Sequence, residues 1–412
     1  MNLLLQSSSI QQPASIKITG SKSETNRLLL LQALFPNLTL ENTSNSDDSE
    51  VMSRALNSQL TTHNSQLIDV HHAGTAMRFL TAFFAIQEGK EVVLTGSSRM
   101  KERPIKVLVD ALNQLGAEIS YEENEGFPPI RIKGKKLTKN NVSLPANISS
   151  QYISALLLIA PKLENGLELT LQGEITSIPY IKMTLALLEE IGVKTSFIEN
   201  KIIVTSSAVE MPYKKITIES DWSSASYWFS IVALSEIGTQ ITLSSYKHNS
   251  LQGDVALFKI YKDFGVQTIF NTDNSITLLK EKNCQLETFN SQLNNSPDIA
   301  QTIAVTCFGL GIGCHLTGLH TLKIKETDRL EALKNELTKL GANVSVTNDS
   351  LTLEPSEIIN ENISIKTYQD HRMAMAFAPL ALKVPIIIEE AEVVSKSYPT
   401  FWDDLKSVGF TF

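Results

Sequence analysis

The chain has 412 residues, 42% of them hydrophobic and 19% charged, with a formal net charge of -8. That length exceeds one compact core and predicts two domains of roughly 200 residues each, while the negative balance and the lack of any apolar run near ~18 residues argue against a nucleic-acid partner and a membrane span. Cys284, Cys307 and Cys314 have neither a disulfide framework nor a metal-ligand spacing, and MNLLLQSSSIQQPASIKITG lacks the basic and apolar regions of a signal peptide, so a cytoplasmic protein without metal or cofactor is expected.

In chain order, SETNRLLLLQAL (23–34) predicts a helix apolar nearly all round, and EVMSRALNSQL (50–60) a weak amphipathic one. GTAMRFLTAFFAI (74–86) is again apolar all round; IKVLVDALNQLGAEI (105–119) is amphipathic, stops at Gly116 and leads into the strand–turn–strand pattern EISYEENEGFPPIRI. The same succession returns as SSQYISALLLIA (149–160), IKMTLALLEEIGVKT (181–195) and KTSFIENKIIV. It returns again as SSASYWFSIVAL, DVALFKIYKDFGVQT and QTIFNTDNSITLL, then as PDIAQTIAVTCFGL, LEALKNELTKLGANV and NVSVTNDSLTLE, and ends with DHRMAMAFAPLAL and TFWDDLKSVGFTF. The stops Gly116, Gly192, Gly265, Gly341 and Gly409 are 76, 73, 76 and 68 residues apart. Six units of this period, each with a buried helix, an amphipathic helix and strands, predict a repeat architecture. Helices apolar on every side belong inside, so sheets must cover them outside, with three units in each of two globular domains.

KIKETDRLEALKNELTKLGA (323–342) reads as one helix whose front crowds Lys325 and Arg329 beside Glu326 and Asp328. A helix N-terminus disfavours cations, yet Lys22, Arg27 and Arg372 also stand at helix starts. Serines and aspartates at these starts serve as caps for structural reasons alone. The cations do not, and free backbone N–H groups with Arg or Lys beside them suit phosphate and carboxylate. The helix starts are therefore read as anion sites.

SKSETNR, AGTAMR, RMKERPI, SSQ, SPDIAQTIA, KETDR, DHRMAM and Lys396 before Tyr398-Pro399 run in order along nearly the whole chain, and together they resemble the 5-enolpyruvylshikimate-3-phosphate synthase family. The resemblance implies an α/β fold, a two-domain inside-out α/β barrel of six repeats. Residues 1–19 and 219–412 would form a discontinuous domain and 20–218 an inserted one, with crossovers near Ile18–Gly20 and Ile218–Asp221. It implies transfer of the enolpyruvyl group of phosphoenolpyruvate to the 5-hydroxyl of shikimate 3-phosphate, by a cytoplasmic monomer that is a glyphosate target. Shikimate 3-phosphate would be held by Lys22, Ser23, Arg27, Ser149, Ser150, Gln151, Ser177, Tyr180, Asp298 and Lys325. Phosphoenolpyruvate would be held by Lys22, Gly74, Arg99, Gln151, Arg329, Arg372 and Lys396. Asp298 is cast as base and Glu326 as acid, with Lys22 the third catalytic residue.

Four positions depart from the family pattern: His72 for a usual Asn, Phe79 for Pro, Ile178 for Lys and Thr321 for Asn. None removes a cation or carboxylate of the motifs. Two other readings share the fold: the sister enzyme that uses UDP-N-acetylglucosamine, and a non-catalytic anion-binding relative. The first typically carries a reactive Cys in the loop that here reads SSRMKERPI; the second would be expected to lose Asp298 or Glu326.

Overall fold

A computed structural model of the chain describes residues 1–11, 13–58, 65–147, 149–173, 175, 178–207 and 212–412. The polypeptide divides into two compact units, Met1–Gly20 with Glu219–Phe412, and Ser21–Ile218.

The continuous unit builds on three helices, Lys22–Leu34, Gly74–Ala85 and Ser150–Ile159. Every residue of Gly74–Ala85 is buried, as a segment without a polar face must be. Strand Gln66–Asp69 precedes that helix and pairs in parallel with Glu91–Thr95, which follows it. The helix Lys106–Leu115 then leads to a hairpin, of which Ile130–Lys133 pairs antiparallel with both Glu91–Thr95 and Glu118–Tyr121. The same order recurs with Asn141–Pro145, Leu167–Gln172, Lys201–Val204 and Thr195–Ile198. The strands that precede helix Lys22–Leu34 in sequence, Leu3–Leu5 and Ala14–Ile16, pair in the other unit. Lys214–Thr217, arriving at the far end of the unit, supplies a parallel partner for Leu38–Glu41.

The discontinuous unit repeats this pattern around helices Trp222–Leu234, Ala300–Gly309 and His371–Phe377. Two four-stranded sheets have the same parallel-then-antiparallel order, one opening with Ala14–Ile16 beside Gln240–Leu243 and one with Thr288–Gln292 beside Gly313–Thr317. In the third sheet Ile363–Ile365 runs parallel to Ile386–Ile388, and Leu3–Leu5 closes it antiparallel. The buried helices meet through hydroxyls as well as hydrocarbon: Ser226 contacts Thr302 at 3.0 Å and Thr306 contacts Ser230 at 2.8 Å. Each such bond satisfies groups that would otherwise be buried unpaired. Lys280 is buried and donates to the carbonyls of Ala233 and Phe264, at the C-terminal ends of two helices, where the helix dipole favours a cation.

The five periodic glycines all lie in the left-handed region, with φ from 82° to 110°, the conformation in which helices commonly end. Some expected helices are shorter than their patterns: DVALFKIYKDF is α-helical only over Leu257–Asp263, after a 3-10 turn, and DHRMAMAFAPLAL only over His371–Phe377, before one. KIKETDRLEAL does not form a continuous helical start: His320–Ile324 is a 3-10 turn and the α-helix covers Arg329–Lys339. Asp328 causes the delay, because its carboxylate accepts from the backbone N–H groups of Leu330 and Glu331 and caps the helix there. Lys325, Glu326 and Asp328 therefore precede the helix. Trp222–Leu234 is likewise capped by Asp221, which accepts from Ser224 N, and leaves the Ser223 hydroxyl for another task.

Candidate active site

In the discontinuous unit the site residues gather on Arg329. Its side chain is 2% exposed and meets three carboxylates: Nε donates to Asp370 at 2.6 Å, Nη1 to Asp298 at 2.8 Å and Nη2 to Glu326 at 2.7 Å. Three donor directions of one rigid fork thus fix three acids. Asp298, at the front of the 3-10 turn that opens Ala300–Gly309, also faces Lys325 Nζ at 3.5 Å and Arg372 Nη2 at 3.3 Å. Burial works to raise its pKa, but the charges of Lys325, Arg372 and Arg329 together outweigh burial and hold the carboxyl well below the usual range. Arg372 and Arg329 remain firmly charged: burial opposes this, and the surrounding carboxylates prevail.

Arg372 Nη2 also donates to Ser223 Oγ at 3.3 Å, and Ser223 Oγ donates to Asp254. Burial, reinforced by the charge of Asp298, pushes the Asp254 carboxyl up to about 7. Arg372 Nε is buried without a hydrogen-bond partner, and so is Asp254 Oδ1. Lys396 Nζ donates to the carbonyl of Gln369 at 2.6 Å. Of the sequence-derived set, Asp298, Lys325, Glu326, Arg329 and Arg372 are thus in one charged network, and Lys396 attaches to the turn that enters the Arg372 helix.

In the continuous unit the cations are arranged differently. Lys22 is the first residue of its helix, whose Ser21 start makes no side-chain cap bond, and its Nζ lies 3.5 Å from Asp48. Arg27 is 2% exposed. It donates to Thr184 Oγ1 at 2.8 Å, Ser23 O at 2.7 Å, Ser154 Oγ at 3.0 Å and Tyr180 O at 3.5 Å. Among the described residues these bonds use four of its five N–H groups. Burial lowers its pKa to about 10, against the raising charges of Tyr180 and Glu24. The ring of Phe79 lies 5.4 Å from the Arg27 guanidinium carbon, so this departure from the family pattern supplies a cation–π face.

Gln151 Nε2 donates to Thr75 Oγ1 at 3.1 Å, and Ser149 Oγ accepts from Gln151 N at 3.4 Å; Ser150 is buried beside them. This joins SSQ to AGTAMR. The RMKERPI loop is tied to the same place: Arg78 bridges the carbonyls of Gly74 and Pro104 at 3.1 and 3.2 Å. Gly74 starts a helix without a side-chain cap, and a Cβ on it would lie 2.6 Å from Arg103 Nη1. Arg99 stands apart, half exposed and paired with Glu102 at 3.0 Å. Ser177 falls outside the described residues. His72 faces His71 at 2.8 Å and Asp47 at 3.6 Å; Ile178 opens the helix Ile178–Glu190, and Thr321 lies in the 3-10 turn with its hydroxyl buried.

The sequence reading did not single out Asp254, Glu336, Tyr368 or Arg103, and it treated Asp370 only as a helix start. Asp370 stands inside DHRMAM and was open to discovery as a buried cap beside two arginines. Asp254 has no local signal, because its partner Ser223 is 31 residues away. Among the described residues no His, Cys, Asp and Glu group is arranged to hold a metal, and no helix is long and apolar enough to cross a membrane.

A family model described as EPSP synthase (3-phosphoshikimate 1-carboxyvinyltransferase) matches residues 34–405. A 3-phosphoshikimate 1-carboxyvinyltransferase of Bacteroides fragilis is 46% identical over 416 residues, covering 100% of this chain and 98% of the relative. One from Haemophilus influenzae is 36% identical over 425 residues, covering 96% of each. Among solved structures, EPSP synthase from Acinetobacter baumannii superposes with a TM-score of 0.79 at 20% identity, covering 100% of this chain and 98% of that one. The enolpyruvyl transferase NikO from Streptomyces tendae gives 0.72 at 14% identity, covering 99% and 97%. These two likenesses speak for the fold.

Proposed function

The chain belongs to the EPSP synthase family, and on that premise we propose that it is a 3-phosphoshikimate 1-carboxyvinyltransferase of aromatic amino acid biosynthesis. It transfers the enolpyruvyl group of phosphoenolpyruvate to the 5-hydroxyl of shikimate 3-phosphate, with release of phosphate. The observation that carries the reading is the fixation of Asp298 and Glu326 by the single buried guanidinium of Arg329. Two acids held on one rigid fork suit a reaction that must remove a proton at one atom and deliver one at another.

In this mechanism Asp298 takes the proton of the 5-hydroxyl as its oxygen bonds to C2 of phosphoenolpyruvate, and Glu326 protonates C3. The tetrahedral ketal then loses a C3 proton back to Glu326, the C2–O bond to phosphate breaks, and the proton from Asp298 leaves with the phosphate. Lys325, Arg372 and Arg329 suppress the basicity of Asp298. The anionic groups of the substrates, set against those cations, offset their charge and raise the basicity of Asp298. Lys22 supports the proton transfers and contacts both substrates. Shikimate 3-phosphate is held by Lys22, Ser23, Arg27, Ser149, Ser150, Gln151, Ser177, Tyr180, Asp298 and Lys325; phosphoenolpyruvate by Lys22, Gly74, Arg99, Gln151, Arg329, Arg372 and Lys396.

The two compact units are proposed to be separate domains, each of three repeats with buried helices and outer sheets, in the manner of an inside-out barrel. The recurring strand order and the burial of the helices support this. The enzyme acts as a cytoplasmic monomer on small molecules, without a cofactor. A phosphate-release assay with phosphoenolpyruvate and either shikimate 3-phosphate or UDP-N-acetylglucosamine tests the reading. Release with the first acceptor alone is expected; release with the sugar nucleotide alone would transfer the chain to the sister activity, and none with either would reject catalysis.

A further inference from the structure

Two consecutive non-glycine residues, Tyr368 and Gln369, adopt left-handed backbone with φ of 54° and 57°, immediately before Asp370. Such a pair is disfavoured for side chains with a Cβ and persists where its surroundings hold it. The holding group is Glu336, a carboxylate with no exposed surface. Its Oε1 accepts from Tyr368 OH at 2.7 Å, and its Oε2 accepts from Lys366 N at 3.0 Å and Lys339 Nζ at 2.6 Å. Glu336 stands seven residues after Arg329 in the same helix, which places both on one face. The helix therefore grips the 366–370 segment twice, through Glu336 and through the Arg329–Asp370 pair.

What leaves the turn reaches the charged network. The Gln369 carbonyl accepts from Lys396 Nζ, Asp370 N donates to Thr367 O at 2.9 Å, and Asp370 accepts from Arg329 Nε and Arg372 N. We propose that Tyr368, latched by Glu336, is a positioning residue for phosphoenolpyruvate: the latch holds the left-handed turn, and the turn sets Lys396 through the Gln369 carbonyl and Arg329 and Arg372 through Asp370. This rests on the reading that those three cations receive phosphoenolpyruvate. Without the latch the turn relaxes toward ordinary backbone, and the cations lose their common alignment.

Tyr368→Phe in the full chain removes one hydroxyl and keeps the ring. The loss of one hydrogen bond to a carboxylate predicts a rise of about tenfold in KM for phosphoenolpyruvate, with KM for shikimate 3-phosphate unchanged. Amide hydrogen exchange in residues 370–373 accelerates by a similar factor, whether or not substrate is present. Gln369→Gly added to Tyr368→Phe recovers most of the lost affinity, because glycine adopts the left-handed turn unaided and keeps the carbonyl that receives Lys396. An equal rise in both KM values, or unchanged exchange at 370–373, overturns the latch. The exchange comparison decides it even if the natural protein releases no phosphate, an outcome that would sink the proposed activity instead. Should Tyr368→Phe not fold, the single Gln369→Gly variant of the natural chain is read: unchanged affinity supports the latch, and a loss of phosphoenolpyruvate affinity overturns it.

Discussion

Arg329 is the residue on which most of the candidate chemistry depends. Replacing it with Met leaves Asp370, 0% exposed, without its charge partner; removing one member of a buried pair typically costs about 3–5 kcal/mol. Urea denaturation is expected to show a loss of that order, and a near-natural midpoint would refute the clamp as a structural element. Asp298→Asn and Glu326→Gln keep shape but remove proton transfer, so turnover falls by ~10² to 10⁴ in each; shikimate 3-phosphate still binds the Glu326 variant, as calorimetry can check. Asp254 makes a prediction in pH. Its folded pKa of about 7 lies above the ordinary carboxylate value, so the folded state binds the extra proton, and stability falls as pH rises through the interval between them. Asp298, depressed instead, loses its contribution only in stronger acid, below the ordinary carboxylate value. Between pH 5 and 8 the natural protein should therefore lose more thermal stability than Asp254→Asn. Parallel melting curves across that range would dismiss the assignment.

At the scale of elements, the Gly74 turn shows what a sequence can and cannot disclose. A glycine at the front of a buried helix is readable as a place of close approach; that the approaching group is the Arg103 guanidinium is not. A Cβ here meets the far end of a flexible side chain, so Gly74→Ala is expected to fold and turn over with Arg103 displaced. Glyphosate is expected to inhibit the natural protein in competition with phosphoenolpyruvate and to inhibit that variant less; identical inhibition curves would remove Gly74 from the inhibitor's surroundings. Elements defined by local periodicity were legible: the all-apolar helices, the glycine stops, the hairpins after them. The expected helical start at KIKETDR was not, because Asp328 competes for the first amides. Pairing between distant segments was equally hidden. Nothing in SETNR or YISALL announces that Arg27 bonds Ser154 and Thr184, 127 and 157 residues away, and the Tyr368–Glu336 contact spans 32.

For the molecule as a whole, the proposal of separate domains is testable by excision. Ser21–Ile218 is a continuous segment with its own helices, its own sheets and its own core. Expressed alone, it should unfold in one cooperative urea transition, and a gradual, featureless melt would tell against its autonomy. The first two strands of the other unit have a different history. Ala14–Ile16 pairs with Gln240–Leu243, which the ribosome adds 226 residues later. At ~5–20 residues per second that is a wait of about 11 to 45 seconds. Leu3–Leu5 waits longer still, for Ile386–Ile388. Leu3–Leu5 and Ala14–Ile16 are thus among the last strands to find their places, and their apolar residues remain open to chaperones, or to a neighbouring chain, until those distant partners emerge.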